Sequence, residues 1–132
     1  MNQRDLNMSE YEISRFAYRE LKYFCLQYEE KKKRAAGLSQ LSATVYDGMP
    51  HGGAIGNPTE QKAIVAAQLH TDCELIEQTA MEAANGWGYQ QLIKNVTLGV
   101  PYSYLDIPCG KNKFTDIRRR FFYLLAKKKG MV

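Results

Sequence analysis

Cysteine, proline and long apolar runs are scarce in this chain of 132 residues. Its three cysteines form an odd number without a closely spaced pair, so we expect reduced thiols and no disulfide framework. No apolar run approaches the roughly 20 residues that a membrane span needs. The first residues also lack the basic-then-apolar order of a signal peptide. These absences predict a cytoplasmic protein that is not associated with a membrane.

Residues that could carry catalysis or bind a metal are also few. His70 and Cys73 would share one side of a helix, but zinc needs four ligands and no Cys-x-x-Cys pair completes the set. Asp72 and Glu74 are two residues apart and would not face each other on a helix. The glycines of residues 48–56 lack the Gly-Lys-Ser/Thr that completes a phosphate loop. We therefore predict a protein that is not an enzyme and needs neither a metal nor a cofactor.

Charge is distributed unevenly along the chain. The net charge is +4, with 45% hydrophobic and 24% charged residues, which is an ordinary globular balance. Residues 37–104 hold 2 basic and 6 acidic side chains, whereas residues 105–132 hold 8 basic and 2 acidic ones. A basic terminal segment beside an acidic middle is typical of a protein with a polyanionic partner, most often nucleic acid. A helix end that is merely solvated is the alternative explanation of the same pattern.

Apolar residues recur at helical spacing in the first two thirds of the chain, and no segment shows the alternation of a strand. Residues 1–36 contain one long predicted helix, over 10–36, with Ser9 as its cap and Gly37 as its stop. Its apolar stripe consists of Ile13, Ala17, Leu21, Phe24 and Tyr28, widened by Phe16 and Tyr23. Residues 37–57 read as a flexible linker. A second helix is predicted over 58–84, and its partner is either the first helix, in an antiparallel hairpin, or a second copy of the chain.

Residues 85–132 show the order of a helix-turn-helix module. A helix is predicted from Tyr89 to about Leu98, then a short helix over 101–106, then a basic helix over 111–128. The apolar stripe of the last helix consists of Phe114, Ile117, Phe121, Leu124 and Leu125. Trp87 stands at a helix junction and is expected in the core. The predicted fold is therefore all-α, a long N-terminal helical hairpin followed by a C-terminal helix-turn-helix.

The last helix has the polar groups that a recognition helix needs. Lys111, Asn112, Lys113 and Thr115 lie in its first turns, away from the apolar stripe. Asparagine can pair with adenine and lysine can reach guanine acceptors in the major groove. The arginines that follow, Arg118, Arg119 and Arg120, are assigned to phosphates, with at least one of them on the outer face. These residues predict binding to double-stranded DNA.

Four stretches of the chain resemble a known family of regulators. They are residues 57–60 (NPTE), 95–105 (NVTLGVPYSYL), 107–114 (IPCGKNKF) and 118–125 (RRRFFYLL). Together they are similar to the small RinA/ArpU-type transcriptional regulators of Gram-positive bacteria and their phages. The C-terminal module of that family resembles the promoter-reading region 4 of sigma factors.

The resemblance implies positions for the DNA contacts. It implies that Tyr102 and Ser103 lie near the DNA backbone and that residues 110–115 open the recognition helix. Gly110 departs from the family pattern, in which a serine often caps this helix. Asp116 also departs, as an acidic residue on a face that should meet phosphates.

The combined prediction is a phage or prophage regulator that reads a promoter or late-gene site through its C-terminal recognition helix. A single helix-turn-helix makes few contacts, so a homodimer or a higher homo-oligomer is expected. The N-terminal hairpin would supply self-association or contact with host RNA polymerase. Two alternatives stay open. One is a phage-encoded inhibitor that binds a host nuclease or polymerase, and the other is an oligomeric DNA-packaging adaptor.

Overall fold

A computed structural model describes residues 5–44 and 58–132 of the chain. Every regular element in these residues is helical, which confirms the all-α fold class. The elements in order are a 3₁₀ turn at Ser9–Tyr11, α1 (Arg15–Leu26), α2 (Tyr28–Thr44), α3 (Pro58–Ala83), α4 (Tyr89–Leu98), a 3₁₀ turn at Tyr102–Tyr104 and α5 (Lys111–Lys128). In the described ranges, no helix is both long and apolar enough to cross a membrane.

The described residues form two compact units. The first contains residues 5–28 and 75–132, and the second contains residues 29–44 and 58–74. In the second unit, an ion pair between Lys31 Nζ and Asp72 Oδ2, at 3.1 Å, joins α2 to α3. On α3, Leu69 and Cys73 are buried there, whereas Val65 is exposed.

The core of the first unit lies where α1 packs against α4 and α5. Its largest fully buried side chains include Tyr18, Leu21, Leu92, Phe121 and Phe122. The ring of Phe122 meets Tyr18 edge to face with centroids 5.0 Å apart. Phe114, Phe121 and Leu125 of the predicted α5 stripe are buried, as expected. These contacts hold one side of α5 against α1 and leave the opposite side to solvent.

The predicted start of the first helix at Ser9 is wrong. Ser9 opens only a 3₁₀ turn, and the chain reverses at Glu12, whose φ is 56°. The helix begins at Arg15 instead, because Ser14 is in extended conformation and its Oγ accepts a hydrogen bond from Ala17 N at 3.1 Å. After the turn at Glu12, Ser14 and not Ser9 takes the cap position of the helix.

The predicted single helix over 10–36 is also wrong, because the helix is interrupted at Gln27. No proline or glycine marks the interruption. It falls beside Tyr28, which is buried and whose hydroxyl donates to Glu77 Oε1 on α3 at 2.7 Å. A long-range contact therefore accompanies the break, and local sequence does not reveal it.

The predicted stop at Gly37 is wrong as well, since α2 continues through it to Thr44. No other atom lies close to the position that a Cβ of Gly37 would take. The glycine therefore destabilises α2 only through its low helix propensity. The helix thus takes up residues 37–44 of the predicted linker, and residues 45–57 lie outside the described part of the chain.

The predicted short helix over 101–106 is only the 3₁₀ turn, because Leu105 is extended ahead of Pro108.

Phe16 and Tyr23 do not widen the apolar stripe of the first helix. Phe16 is 77% exposed, and Tyr23 is exposed as well. Ile13, Leu21 and Tyr28 of the predicted stripe are buried. The buried face of α1 is therefore narrower than its sequence suggests.

The capping site can be tested with two matched substitutions. Ser14→Ala is expected to lower the free energy of unfolding by about 1 kcal/mol, because the N–H of Ala17 loses its acceptor. Ser9→Ala removes a serine hydroxyl from the cap position that the sequence predicts. It is expected to change the free energy of unfolding by less than about 0.5 kcal/mol. Urea unfolding followed by circular dichroism measures both. The reverse order of effects would contradict the cap at Ser14.

Candidate nucleic-acid interface

The segment between α4 and α5 is held by side chains that bond to its backbone. Asn95 is 2% exposed, and its Nδ2 donates to Val100 O at 2.8 Å. The Tyr102 hydroxyl donates to Cys109 O. Gln91 Oε1 accepts a hydrogen bond from the N–H of Asp106 at 3.2 Å. These bonds fix the start of α5 relative to α4.

Glycines of positive φ set the ends of α4. Gly99 ends the helix with φ 72°, and its N–H donates to Asn95 O at 3.0 Å. Gly88 precedes the helix with φ 70°. A left-handed residue at each end is easily supplied by glycine. The bounds of α4 are therefore strongly determined by local sequence.

The N-terminus of α5 has no capping side chain. Gly110 occupies the cap position in extended conformation, and its carbonyl accepts from Phe114 N at 3.0 Å. The first-turn N–H groups thus have no side-chain acceptor at the cap, and the positive end of the helix dipole lies there. Lys111 and Lys113 are exposed in the same turn. This end of α5 favours negatively charged groups such as phosphate.

The nine residues predicted to contact DNA separate into two groups by exposure. Five are exposed to solvent, namely Ser103, Lys111, Asn112, Lys113 and Arg120. Four are half-buried, namely Tyr102, Thr115, Arg118 and Arg119. Arg120 satisfies the expectation that at least one of the three arginines lies on the outer face.

Arg118 faces the core side of α5. It follows Phe114 by four residues and precedes Phe121 by three, so it shares their stripe. Burial lowers the pKa of its guanidinium below the usual value, and a hydrogen bond with Tyr18 on α1 opposes that shift. Arg118 therefore helps to hold α5 against α1, and its contact with phosphate stays a prediction.

Arg119 is paired within its own helix. Its Nη1 lies 2.9 Å from Asp116 Oδ1. The pair compensates the acidic charge that the sequence placed on the outer face. The cations of that face without an ion-pair partner among the described residues are Lys111, Lys113 and Arg120.

Two grooves flank α5. The Trp87 groove, of about 520 Å³, is lined by Trp87, Ile107, Pro108, Lys113, Ile117 and Arg120 among others. The Asp5 groove, of about 560 Å³, is lined by Asp5, Asn95, Tyr102, Lys111, Thr115 and Arg119 among others. Residues of the predicted recognition helix therefore contribute to both grooves.

Asp5 forms ion pairs that the sequence did not predict. Its carboxylate accepts from Arg19 Nε at 3.0 Å and from Lys22 Nζ at 3.3 Å. The hydrogen bond from Arg19 holds the pKa of Asp5 below its usual value. The partners are 14 and 17 residues away along the chain, so no local motif indicates the pair.

The depressed pKa of Asp5 predicts a pH-dependent contribution to stability. Because the folded-state pKa is the lower one, the stabilisation is present above the ordinary pKa of an aspartate and is lost as pH falls through the folded-state value. Asp5→Asn is expected to lower the free energy of unfolding by about 0.5 kcal/mol at neutral pH. At a pH below the folded-state pKa of Asp5, the substitution is expected to have no effect. Asp106→Asn, an exposed acid without an ion pair in the described chain, is the control. Urea unfolding at both pH values measures the difference, and a gap that persists in acid would contradict this assignment.

The expected burial of Trp87 is wrong, because its side chain is 66% exposed. It lies in the turn between α3 and α4, between Gly86 and Gly88, which have φ values of 77° and 70°. The flanking glycines were the available signal, since they permit a tight turn that carries the ring outward.

Metal-ligating residues do not gather near this interface. In the ranges that the structure covers, no three histidine, cysteine or acidic side chains form a group that could hold a metal. Cys25 and Cys73 are buried, Cys109 is half-buried, and His51 lies outside the described residues.

No family model, curated protein or solved structure matches this chain. The resemblance to RinA/ArpU-type regulators therefore stays a prediction.

Proposed function

We propose that this protein is a phage or prophage transcriptional regulator that binds double-stranded DNA through the outer face of α5. The supporting observation is the combination of exposed Lys111, Asn112, Lys113 and Arg120 with an opposite face locked into the core. A helix presented in this way can enter the major groove, which admits an α-helix and displays a distinct pattern for each base pair. The protein would act in the cytoplasm.

In this proposal, α4, the 3₁₀ turn and α5 form the helix-turn-helix. The bonds from Asn95 and Tyr102 to the connecting backbone set the angle at which α5 leaves α4. Asn112 is assigned to base edges, whereas Lys111, Lys113 and Arg120 are assigned mainly to phosphates. The uncapped N-terminus of α5 adds backbone N–H groups that can bind a phosphate oxygen.

The second unit has a separate role in the proposal. Residues of α2 and α3, joined by the Lys31–Asp72 pair, form the hairpin that supplies self-association or contact with host RNA polymerase. A dimer doubles the number of phosphate contacts and allows two half-sites to be read. Mass measurement in solution tests this part independently of DNA.

The decisive experiment is a titration of the protein against a labelled mixed-sequence DNA duplex at several salt concentrations. Fluorescence anisotropy is expected to show binding whose logarithmic Kd rises linearly with the logarithm of salt concentration. Selection from fragmented phage genomic DNA then tests sequence preference. Absence of binding at low salt, or binding that salt does not weaken, would overturn the proposal.

An apolar patch on the first unit favours a second candidate, an inhibitor that binds a host nuclease or polymerase. Leu26, Leu98 and Tyr104 are all exposed around one shallow groove, with Tyr104 at 73%. Exposed tyrosine beside aliphatic side chains suits a protein interface. Capture of one of those host enzymes by the purified protein after nuclease treatment, and loss of capture in Tyr104→Ser, would favour this candidate over DNA binding.

A further inference from the structure

The Trp87 groove is an apolar cavity beside the predicted recognition helix. Its volume of about 520 Å³ lies within the range of roughly 300–1,000 Å³ that is typical of small-molecule sites. Leu92 and Phe114, both buried residues, form part of its lining, with Ile107, Pro108 and Ile117 around them. A lining of this kind binds apolar groups.

The turn that carries Trp87 is held firmly by the backbone. Gly86 N donates to Met81 O at 2.7 Å, and Trp87 N donates to Ala84 O at 3.0 Å. Gly88 lies against Pro108, since a Cβ on Gly88 would stand 3.8 Å from Pro108 Cδ. The indole is thus presented to the groove from a fixed turn, although most of its surface remains exposed to water. A ligand that covers the ring would remove that surface from water.

The rim of the groove carries positive charge. Lys113 and Arg120 both line it, and neither has an ion-pair partner in the part of the chain described. Asp116 also lines it, but its carboxylate is paired with Arg119 at 2.9 Å. The unpaired guanidinium of Arg120 can hold a carboxylate through two parallel N–H bonds. Charge complementarity therefore selects an anionic ligand for an apolar groove.

We propose that the Trp87 groove binds a small organic carboxylate with an apolar body, with Arg120 as the carboxylate anchor and Lys113 as a second cation. Because Arg120 and Lys113 are also assigned to DNA, the ligand competes with DNA for them. This competition rests on the proposed function, whereas binding of the ligand does not. The protein would then release DNA when such a carboxylate accumulates.

The first test uses 4-phenylbutyrate as the probe and 4-phenylbutan-1-ol as its uncharged counterpart. Trp87 is the single tryptophan of the chain, so its fluorescence reports directly on this groove. The acid is expected to bind about tenfold more tightly than the alcohol, because only the acid can accept charge-assisted hydrogen bonds. Equal affinity for the two compounds, or no change in fluorescence with either, would overturn the proposal.

Substitution of Arg120 distinguishes a specific carboxylate site from non-specific binding to a basic surface. Arg120→Gln is expected to bring the affinity for the acid close to that for the alcohol and to leave the affinity for the alcohol unchanged. Lys127→Gln removes an exposed cation of the same helix that does not line the groove, and it is expected to preserve the tenfold preference. Equal losses in the two variants would contradict the assignment of Arg120.

A thiol in the groove gives a readout that does not depend on fluorescence. Cys109 lines the groove and is half-buried, whereas Cys25 and Cys73 are buried. Saturating 4-phenylbutyrate is expected to slow alkylation of Cys109 by iodoacetamide several-fold, and Arg120→Gln is expected to abolish that protection at the same probe concentration. An alkylation rate that the probe does not change would count against occupancy of the groove.

Measurement of DNA binding in the presence of the probe tests the competition separately from the proposed function. Saturating 4-phenylbutyrate is expected to weaken binding to the mixed-sequence duplex about tenfold, and an equal concentration of chloride is the control. Probe binding with unchanged DNA affinity would overturn the competition. If the protein binds no DNA at all, the proposed function fails, whereas the fluorescence and alkylation results still decide on the carboxylate site.

Discussion

Phe122→Ala is expected to lower the free energy of unfolding by about 3–5 kcal/mol. Phe122 is 1% exposed and meets Tyr18 and Phe121 edge to face, with centroids 5.0 and 5.1 Å away. Removal of its ring leaves a cavity at the contact between α1 and α5, which relaxation fills only in part. Urea unfolding monitored by circular dichroism measures the loss.

Phe16→Ala is the matched control for this prediction. The same ring is deleted from a site that is 77% exposed, so the expected change is within about 0.5 kcal/mol. Phe16 belongs to the apolar stripe that the sequence suggests for the first helix. A large effect at Phe16 together with a small effect at Phe122 would show that the core differs from the one described.

The second large effect concerns DNA. The double variant Lys113→Gln and Arg120→Gln is expected to weaken binding to a duplex about tenfold to a hundredfold at moderate salt. It should also reduce the slope of log Kd against log salt by about two, because each lost phosphate contact removes roughly one. Both residues are exposed, so the fold should be unaffected. Anisotropy titrations across a salt series provide the slope.

Lys33→Gln combined with Arg34→Gln is the control for net charge. These exposed residues of α2 carry the same two charges but lie in the second unit. The control is expected to leave the salt slope nearly unchanged. Equal losses in the two double variants would mean that overall charge, and not the outer face of α5, determines DNA affinity.

The agreement between sequence and structure is closest in α4 and α5. The predicted bounds of both helices match the observed ones, at Tyr89–Leu98 and Lys111–Lys128. Glycines flank α4 on both sides, and Gly110 precedes α5. The apolar period of α5 also predicts that Phe114, Phe121 and Leu125 are buried. These features depend on residues within one or two turns of each other, so local sequence suffices.

The candidate site was predictable only in part. Exposure of Lys111, Asn112, Lys113 and Arg120 agrees with their distance from the apolar stripe. The inward position of Arg118 could also have been inferred, because its spacing from Phe114 and Phe121 places it on their side of the helix. The sequence instead predicts a phosphate contact for Arg118, because a charged side chain is ordinarily expected at the surface.

By itself, the sequence determined the helical fold class, the ends of α4 and α5 and the basic outer face of α5, because helix period and glycine act over a few residues. Tertiary structure alone decided the interruption at Gln27, the pairing of Asp5 with Arg19 and the groove beneath Trp87. Each of these depends on side chains that are distant along the chain and meet only after the helices pack. Such contacts leave no periodic trace in the sequence.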